Sequence, residues 1–411
     1  MLPLRAVASL AAGIAVIGAL ALPAPIELPF HSSAAHAASK AKAKSESPQG
    51  KQNPKGLPAR APFSAEDQAA AAVPGIPQAR VWGDSAADLK RVLPSVRGPW
   101  LALSGGGADG AFGAGVLSGW SQSGNRPEFA VVTGASIGAL ISPYAFLGQR
   151  HDAELKDSLT KIAAADVFED RPTPESFFDS WPLKQLLEKR VTPQLLAEVA
   201  AEHRRGRRLL TITTNVDAGR RVIWNMGAIA EAGGEKALKL FRDVMLASSS
   251  IPGFFPPVMI DVEANGHRFQ EMHLDGTITS PFFVAPESLL ADATNTPLSA
   301  TELYIIANSR LTPDFDVPER STVSILGRLI GVALKVGIRA ELLLVASNAQ
   351  RLGVDIKLAR FSDEFQQPSR GFFDQPYMQA LFEYGFQRGS QGAAFEAVST
   401  ASVDPRGKPS P

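Results

Sequence analysis

The 411-residue chain contains no cysteine. It therefore forms no disulfides, thiolate zinc sites or iron–sulfur clusters, and it has no cysteine nucleophile. The same absence excludes a lipidated cysteine of the kind that anchors bacterial lipoproteins. The chain also lacks net charge, because 41 Lys and Arg residues balance 41 Asp and Glu residues. Bulk electrostatics therefore give no support to nucleic-acid binding.

The zero charge is the sum of two opposite pieces. Residues 1–62 contain seven basic and two acidic residues, a net charge of +5. Residues 63–411 contain the other 34 basic and 39 acidic residues, a net charge of −5. An acidic core argues against long-range attraction to anionic bilayers, unless the basic segment is retained and supplies that attraction.

The N-terminal segment has the pattern of an export signal. Arg5 is followed by an apolar stretch over 6–22, and Ala35-His36-Ala37 offers small residues for cleavage. We predict a signal peptide at residues 1–37 and an exported protein, periplasmic or secreted. An uncleaved membrane anchor is the alternative, because no charge lies between Arg5 and Glu27; a misread start or a buried helix is a third.

A basic, low-complexity segment follows the apolar stretch. We interpret residues 38–94 as a linker and lead-in, because residues 38–62 are rich in Lys, Pro, Ser and Gly and poor in apolar side chains. Residues 63–94 show no clear pattern. We expect a catalytic domain at 95–395 and a flexible C-terminal tail at 396–411.

Strand and helix patterns alternate after residue 95. Apolar runs at 100–103 and 129–133 predict buried strands, and helical spacing follows each of them, over 112–120 and 137–146. This alternation predicts parallel strands with crossover helices. Further predicted strands lie at 208–214, 222–225, 269–273, 303–307 and 354–358, and further helices at 184–190, 192–204, within 320–352 and at 377–388.

The first strand-to-helix turn is rich in glycine. It runs from Ser104 to Gly113 and includes Gly105, Gly106, Gly107 and Gly110. Such a turn points N–H groups at one place and stabilises negative charge. It can bind a dinucleotide, hold a phosphate or form an oxyanion hole. No Gly-Lys-Ser/Thr follows, and the next strand ends in Thr133-Gly134 without the acidic residue that holds a ribose.

The second turn has the pattern of a serine nucleophile. Gly134-Ala135-Ser136-Ile137-Gly138 lies between a predicted strand and a predicted helix, the context in which a G-x-S-x-G elbow operates. We predict that Ser136 is the nucleophile, and that Gly134 and Gly138 leave room for the tight turn. In the alternative interpretation Ser136 only caps the helix of a nucleotide-binding protein.

The histidines argue against the usual triad. The common order on such folds is serine, acid, histidine, but the last of the six histidines is His273. His273 is the one plausible catalytic histidine, and Asp275 is a better base. Asp275 precedes Gly276 at the end of a predicted strand, where a partly desolvated carboxylate gains proton affinity and can act as general base. An ordinary Asp-Gly turn is the alternative.

Taken together, these motifs resemble the patatin-like phospholipase family. The resemblance rests on the glycine motif from Gly105 to Gly110, the elbow from Gly134 to Gly138, Asp275-Gly276, and the stretch Ala247-Ser-Ser-Ser-Ile-Pro-Gly-Phe-Phe-Pro-Pro257. It covers about residues 97–290. It implies an α/β fold of three layers, α/β/α, with a central, mostly parallel sheet. It also implies a Ser136–Asp275 dyad, an oxyanion hole in the glycine motif, and chemistry with no metal or other cofactor.

The implied function is hydrolysis of ester-linked acyl chains of phospholipids or other lipids through an acyl-enzyme. A lipid or ester substrate and peripheral membrane contact are the expected partners, with no nucleic acid. A non-lipid carboxylesterase or thioesterase on the same dyad is one alternative. A catalytically inactive lipid-binding homologue is another, because Asp109 stands where the family usually has Arg or Lys. Thr277 also departs from the usual Gly or Ala.

Aromatic residues cluster in three later segments. These are 254–255, 282–283 and 372–373. We expect them to form an acyl channel, a membrane-touching rim or part of the core.

Overall fold

The computed structural model describes residue 57 and residues 59–94, 96–291 and 298–398. The predicted signal peptide or anchor, and the end of the predicted C-terminal tail, lie outside these residues. Among the helices described, none combines the length and the apolar content needed to span a bilayer.

The described residues form ten strands and twelve α-helices. The strands are β1 Arg80–Trp82, β2 Gly98–Leu103, β3 Val131–Gly134, β4 Arg208–Asn215, β5 Arg220–Asn225, β6 Val258–Ala264, β7 His267–Asp275, β8 Ala300–Ala307, β9 Asp355–Arg360 and β10 Glu396–Ala397. The helices are α1 Ala65–Ala70, α2 Ala86–Val92, α3 Gly110–Gln122, α4 Ile137–Leu147, α5 Asp152–Thr160, α6 Trp181–Arg190, α7 Pro193–Arg204, α8 Met226–Ala232, α9 Gly234–Ser248, α10 Glu287–Ala291, α11 Thr322–Leu352 and α12 Gln375–Ser390.

The strands form one mixed sheet. Its order is β1-β5-β4-β3-β2-β8-β9-β10, and the hairpin β6–β7 joins it through β4. The five central strands, β4, β3, β2, β8 and β9, are parallel to one another. The edge strands and the hairpin are antiparallel. The predicted α/β class with a central, mostly parallel sheet is confirmed.

Helices cover both faces of the sheet. Strand β2 shows why, because its side chains alternate between two apolar clusters: Leu101 and Leu103 enter one, while Trp100 and Ala102 enter the other. The first cluster receives side chains from α3, α4, α7, α9 and α12. The second receives side chains from α2, α10 and α11. Because apolar side chains leave the sheet on both faces, each face must be covered by helices, and the result is three layers.

The unequal lengths of β3 and β4 position the candidate site. Gly134 at the end of β3 pairs with Thr211 of β4, and β4 continues beyond it. The same edge of β4 then pairs with β7, with Thr213 opposite Asp275. These two pairings are two positions apart along β4, about 7 Å. The end of β7 therefore lies directly beyond the end of β3.

Part of the predicted lead-in belongs to the sheet domain. Strand β1 pairs with β5 through Val81 opposite Ile223. Arg80 of this strand forms a buried ion pair of 2.6 Å with Glu271, whose carboxylate also accepts a hydrogen bond of 2.5 Å from Gln68. A three-residue strand is too short to show a period of two in the sequence. At the other end, β10 lies within the predicted C-terminal tail and pairs with β9.

Candidate active site

Ser136 occupies a strained turn between β3 and α4. Its φ and ψ are 54° and −126°, a conformation that costs a non-glycine residue on the order of 1–3 kcal/mol. Its N–H donates to Ser248 Oγ at 3.0 Å, and that hydroxyl donates to the Ile212 carbonyl at 2.7 Å. The Ser136 side chain forms no capping hydrogen bond with α4. Its hydroxyl is therefore not used as a helix cap.

The two elbow glycines are required by close packing. A Cβ atom on Gly134 would lie 2.3 Å from the carbonyl oxygen of Gly138. Any side chain at Gly134 would therefore push the first turn of α4 away from β3 and change the direction in which Ser136 points.

Asp275 is the last residue of β7 and is only 1% exposed. Its Oδ1 accepts hydrogen bonds from the N–H and the hydroxyl of Thr277, at 2.8 and 2.7 Å. Its Oδ2 is buried and accepts none. Burial raises the pKa of Asp275 to about 6, against the lowering effects of the Thr277 N–H and the nearby Ser136 hydroxyl. Oδ2 is the oxygen that remains available to take a proton.

The stretch that precedes β6 supports both residues. Ser248 holds the backbone of Ser136, as described above, and the Ser250 carbonyl accepts the N–H of Asp275 at 2.9 Å. This is the serine-rich part of the motif that starts at Ala247. The sequence singled it out through the family resemblance, and its hydrogen bonds give it a physical role.

His273 lies in a separate polar cluster. It is fully buried and contacts Thr213 Oγ1 at 2.9 Å and Glu271 at 3.2 Å. Burial lowers its pKa. His273 does not line the cavity that contains Ser136 and Asp275. Asp275 therefore lines the cavity together with Ser136, whereas His273 does not.

The glycine motif divides into two parts. Gly106 and Gly107 line the same cavity as Ser136. The N–H of Gly105 instead donates to the Pro281 carbonyl at 3.1 Å, and the N–H of Gly110 donates to the carbonyls of Gly107 and Ala108. The prediction that Gly105 and Gly110 also contribute to an oxyanion hole is corrected here, because their N–H groups are already engaged.

Asn308, which follows β8, holds the glycine turn in place. Its Nδ2 donates to the Ser104 carbonyl at 2.9 Å, and its Oδ1 accepts the N–H of Gly113 at 3.2 Å. Its own N–H donates to Ser104 Oγ at 2.8 Å. A Cβ atom on Gly106 would lie 2.1 Å from the Asn308 carbonyl oxygen. Asn308 stands about 200 residues from the turn in the sequence, and no local motif there points to this role.

Asp109 and Thr277, the two departures from the family pattern, both have polar partners. Asp109 Oδ1 accepts a hydrogen bond of 2.6 Å from the Tyr377 hydroxyl of α12, and burial raises its pKa to about 6. Asp109 does not line the cavity. Thr277 lines it and binds Asp275 directly. Asp109 therefore attaches the glycine turn to α12, and Thr277 orients the carboxylate.

The cavity has a volume of about 300 Å³ and a mostly apolar wall. Three helices each present one face to it, through residues at helical spacing: Ile137, Leu140 and Tyr144 of α4, Leu183, Leu186 and Leu187 of α6, and Gly327, Ile330, Gly331 and Leu334 of α11. From Ser136 to Tyr144 the wall extends about 12 Å along α4. Tyr144, Ser158 and Arg190 also line a second, polar pocket.

The aromatic segments have different surroundings. Phe254 and Phe255 are buried and line the cavity. Phe282 and Phe283 are fully buried core residues. Phe372 lines the cavity and is 54% exposed. In the described residues, no group of three or more His, Asp and Glu side chains is arranged to hold a metal ion.

Comparison with known proteins identifies the family of the central part of the chain. Residues 101–286 match the family model described as patatin-like phospholipase. No curated protein matched the sequence. Among solved structures, the crystal structure of VipD from Legionella pneumophila aligns with a TM-score of 0.37 at 11% identity, over 74% of this chain and 68% of VipD. The region that matches the patatin-like phospholipase family model, residues 101–286, contains Ser136, Asp275 and the glycine turn.

Proposed function

We propose that this protein hydrolyses ester-linked acyl chains of lipids through a Ser136–Asp275 dyad and an acyl-enzyme. The family match supports lipid acyl hydrolysis in general. The observation that carries the specific proposal is the placement of two groups in one apolar cavity. Ser136 is held in a strained elbow there, and the buried Oδ2 of Asp275 has no hydrogen-bond partner.

The first step is attack by serine. Asp275 is mostly ionised above its pKa of about 6, so that Oδ2 can accept the proton of the Ser136 hydroxyl as Oγ bonds to the ester carbonyl carbon. When the carbon–oxygen bond to the alcohol breaks, the proton passes from Asp275 to the departing oxygen. The acyl chain then remains on Ser136.

The oxyanion of each tetrahedral intermediate needs hydrogen-bond donors. Gly106 and Gly107 line the same cavity as Ser136, and we assign this role to their N–H groups. One such donor is worth about 3–4 kcal/mol in comparable sites. The N-terminus of α4, which begins at Ile137, adds positive potential. Deacylation repeats the sequence with water, whose proton Asp275 takes and returns to Ser136 Oγ.

The cavity wall supports an acyl substrate. Beyond the dyad it is lined by aliphatic and aromatic side chains from α4, α6 and α11. A hydrocarbon chain loses its contact with water there, at about 0.8 kcal/mol for each methylene. A medium-length or long acyl chain is therefore the group that we expect to occupy it.

A lipid panel tests the proposal. Wild type, Ser136→Ala and Asp275→Ala are incubated with phospholipids, acylglycerols, p-nitrophenyl esters and acyl thioesters, and the released acids are identified by mass. We expect wild type to release fatty acids from lipid esters, and both variants to lose at least about a thousandfold in rate. Activity on acetyl esters or thioesters alone would favour the carboxylesterase or thioesterase alternative. A folded wild type that hydrolyses nothing would favour a lipid-binding homologue.

A further inference from the structure

The outward side of α11 is apolar. Ile325, Leu329, Val332, Val336 and Leu343 are 46, 58, 40, 50 and 41% exposed. Their spacing of three, four or seven residues places them on one side of the helix over about 27 Å. We call these five residues the α11 outer face. The outward side of a surface helix ordinarily carries polar and charged residues.

Three basic residues of α11 bind the loop that precedes the helix. Arg328 and Lys335 form ion pairs with Asp314 at 3.2 and 2.6 Å, and Arg339 donates to the Leu311 carbonyl at 2.7 Å. These three side chains therefore hold the preceding loop against the helix instead of pointing into water. The α11 outer face contains no charge as a result.

The loop held by these contacts adds to the apolar surface. Phe315 and Val317, which follow Asp314, are 94 and 73% exposed. Scattered exposed apolar residues are ordinary, but a group of them on adjoining elements marks an interaction surface. Here the ion pairs to Asp314 join the two elements.

We propose that the α11 outer face, with Phe315 and Val317, docks on a neutral or zwitterionic lipid surface. The opposite side of the same helix lines the cavity through Ile330 and Leu334, and Phe372 belongs both to the cavity wall and to the exposed surface. A second copy of the chain would bring no acyl ester to this helix, whereas a lipid surface would place ester lipids against the helix that walls the cavity. This proposal rests on the proposed function, because the docked lipid would be the source of the ester that is hydrolysed.

The missing charge indicates the type of lipid. Phospholipid surfaces with net negative charge attract basic clusters, but the α11 outer face has no charge and residues 63–411 carry a net −5. Aliphatic and aromatic side chains on an amphipathic element can instead insert into the interface through apolar area alone. Phosphatidylcholine vesicles are therefore the appropriate probe.

Vesicle binding by the full chain tests the docking. The double variant Leu329→Gln/Val336→Gln removes two central residues of the outer face and keeps a good helix former at both positions. We expect it to bind phosphatidylcholine vesicles at least about tenfold more weakly than wild type. The matched control is Val96→Gln, which removes an exposed apolar residue (42% exposed) near the opposite, N-terminal end of β2. It should bind like wild type.

Hydrolysis of a soluble ester separates this proposal from the proposed function. The double variant should hydrolyse p-nitrophenyl butyrate like wild type and vesicle lipid more slowly. If wild type hydrolyses neither substrate while the double variant still loses vesicle binding, the docking stands and the proposed function fails. Equal vesicle binding by wild type and the double variant would overturn the docking. The lipid docking would also be overturned if light scattering showed that wild type is a dimer and the double variant a monomer. The α11 outer face would then bind a second copy of the chain.

Discussion

At the scale of single residues, burying the carboxylate of Asp275 in the cavity that contains Ser136 costs stability. Asp275 is 1% exposed and has one carboxylate oxygen without a partner. Burial disfavours the charged form of a carboxyl group, which is why the pKa of Asp275 is raised from 3.8 to about 6. A raised pKa means that the folded protein binds the proton more tightly than the unfolded chain does.

This shift predicts how Asp275 affects stability as pH changes. Ionisation of Asp275 costs more in the folded protein than in the unfolded chain, so the free energy of unfolding falls as pH rises from about 4 to about 6. Above pH 6 the folded protein is less stable by about 3 kcal/mol than it would be without this pKa shift. Asp275→Asn should therefore unfold at a higher temperature than wild type at pH 7.5 and at nearly the same temperature near pH 4. Thermal unfolding at both pH values measures this. Asp157→Asn, at a surface ion pair, should change little at either pH. A lower unfolding temperature for Asp275→Asn at pH 7.5 would contradict the account.

Asn308 is expected to act through the glycine turn. It binds both ends of the turn, at Ser104 and Gly113, so its loss should displace the N–H groups of Gly106 and Gly107. We predict that Asn308→Ala lowers kcat by about 10–100-fold and leaves KM for a p-nitrophenyl ester nearly unchanged. Steady-state kinetics with a thermal-unfolding control measure this. A lower unfolding temperature with wild-type kcat would mean that Asn308 has a purely structural role.

At the scale of elements, we expect the wall formed by α4 to set the length of the acyl chain that the cavity accepts. Leu140 lies four residues beyond Ser136, about 6 Å along the helix, and its side chain lines the cavity. Larger side chains at this position should therefore block the deeper half of the cavity and leave the reactive end open.

Leu140→Trp should accordingly change chain-length preference without removing activity. We expect kcat/KM for p-nitrophenyl decanoate to fall at least about tenfold relative to wild type and kcat/KM for the acetate to stay within about twofold. The acetate serves as the control for folding and for the dyad. A uniform loss across all chain lengths would indicate damage to the elbow, and an unchanged profile would mean that the acyl chain does not follow α4.

The elements also show what sequence patterns can and cannot predict. The helix at 192–204 was predicted from its cap, and Thr192 Oγ1 indeed accepts the N–H of Leu195 at 3.2 Å ahead of Pro193. Ser136 and Asp275 can be singled out as candidates from the sequence because a nucleophile elbow and a strand-end carboxylate each have a local motif. Asn308 and strand β1 were missed because their roles depend on contacts between residues far apart in the sequence. Neither has a local periodicity or motif.

At the scale of the whole molecule, the lead-in segment is joined to the core by buried charge. Arg80 on β1 and Glu271 on β7 form their ion pair with side chains 6 and 0% exposed. Glu271 also contacts His273, two residues before Asp275. The folding of residues 65–92 is therefore coupled to the strand that presents the candidate base.

Breaking this ion pair should destabilise the whole domain. Arg80→Ala leaves the carboxylate of Glu271 buried without its charged partner, and we expect it to lower the free energy of unfolding by about 3–5 kcal/mol. Denaturant unfolding measures this. Lys161→Ala removes one partner of an exposed pair, with side chains 67 and 51% exposed, and should cost less than about 1 kcal/mol. Equal effects of the two substitutions would contradict the assignment.

The central claim is that Ser136 is a nucleophile activated by Asp275, and covalent labelling tests it most directly. The full chain is treated with a fluorophosphonate that carries an alkyl chain, and the modified residue is located by peptide mass spectrometry. The account predicts one adduct, on Ser136, with no labelling of Ser136→Ala and labelling of Asp275→Ala at least about a hundredfold slower than wild type. A label on another residue, or an equal labelling rate in Asp275→Ala, would contradict it.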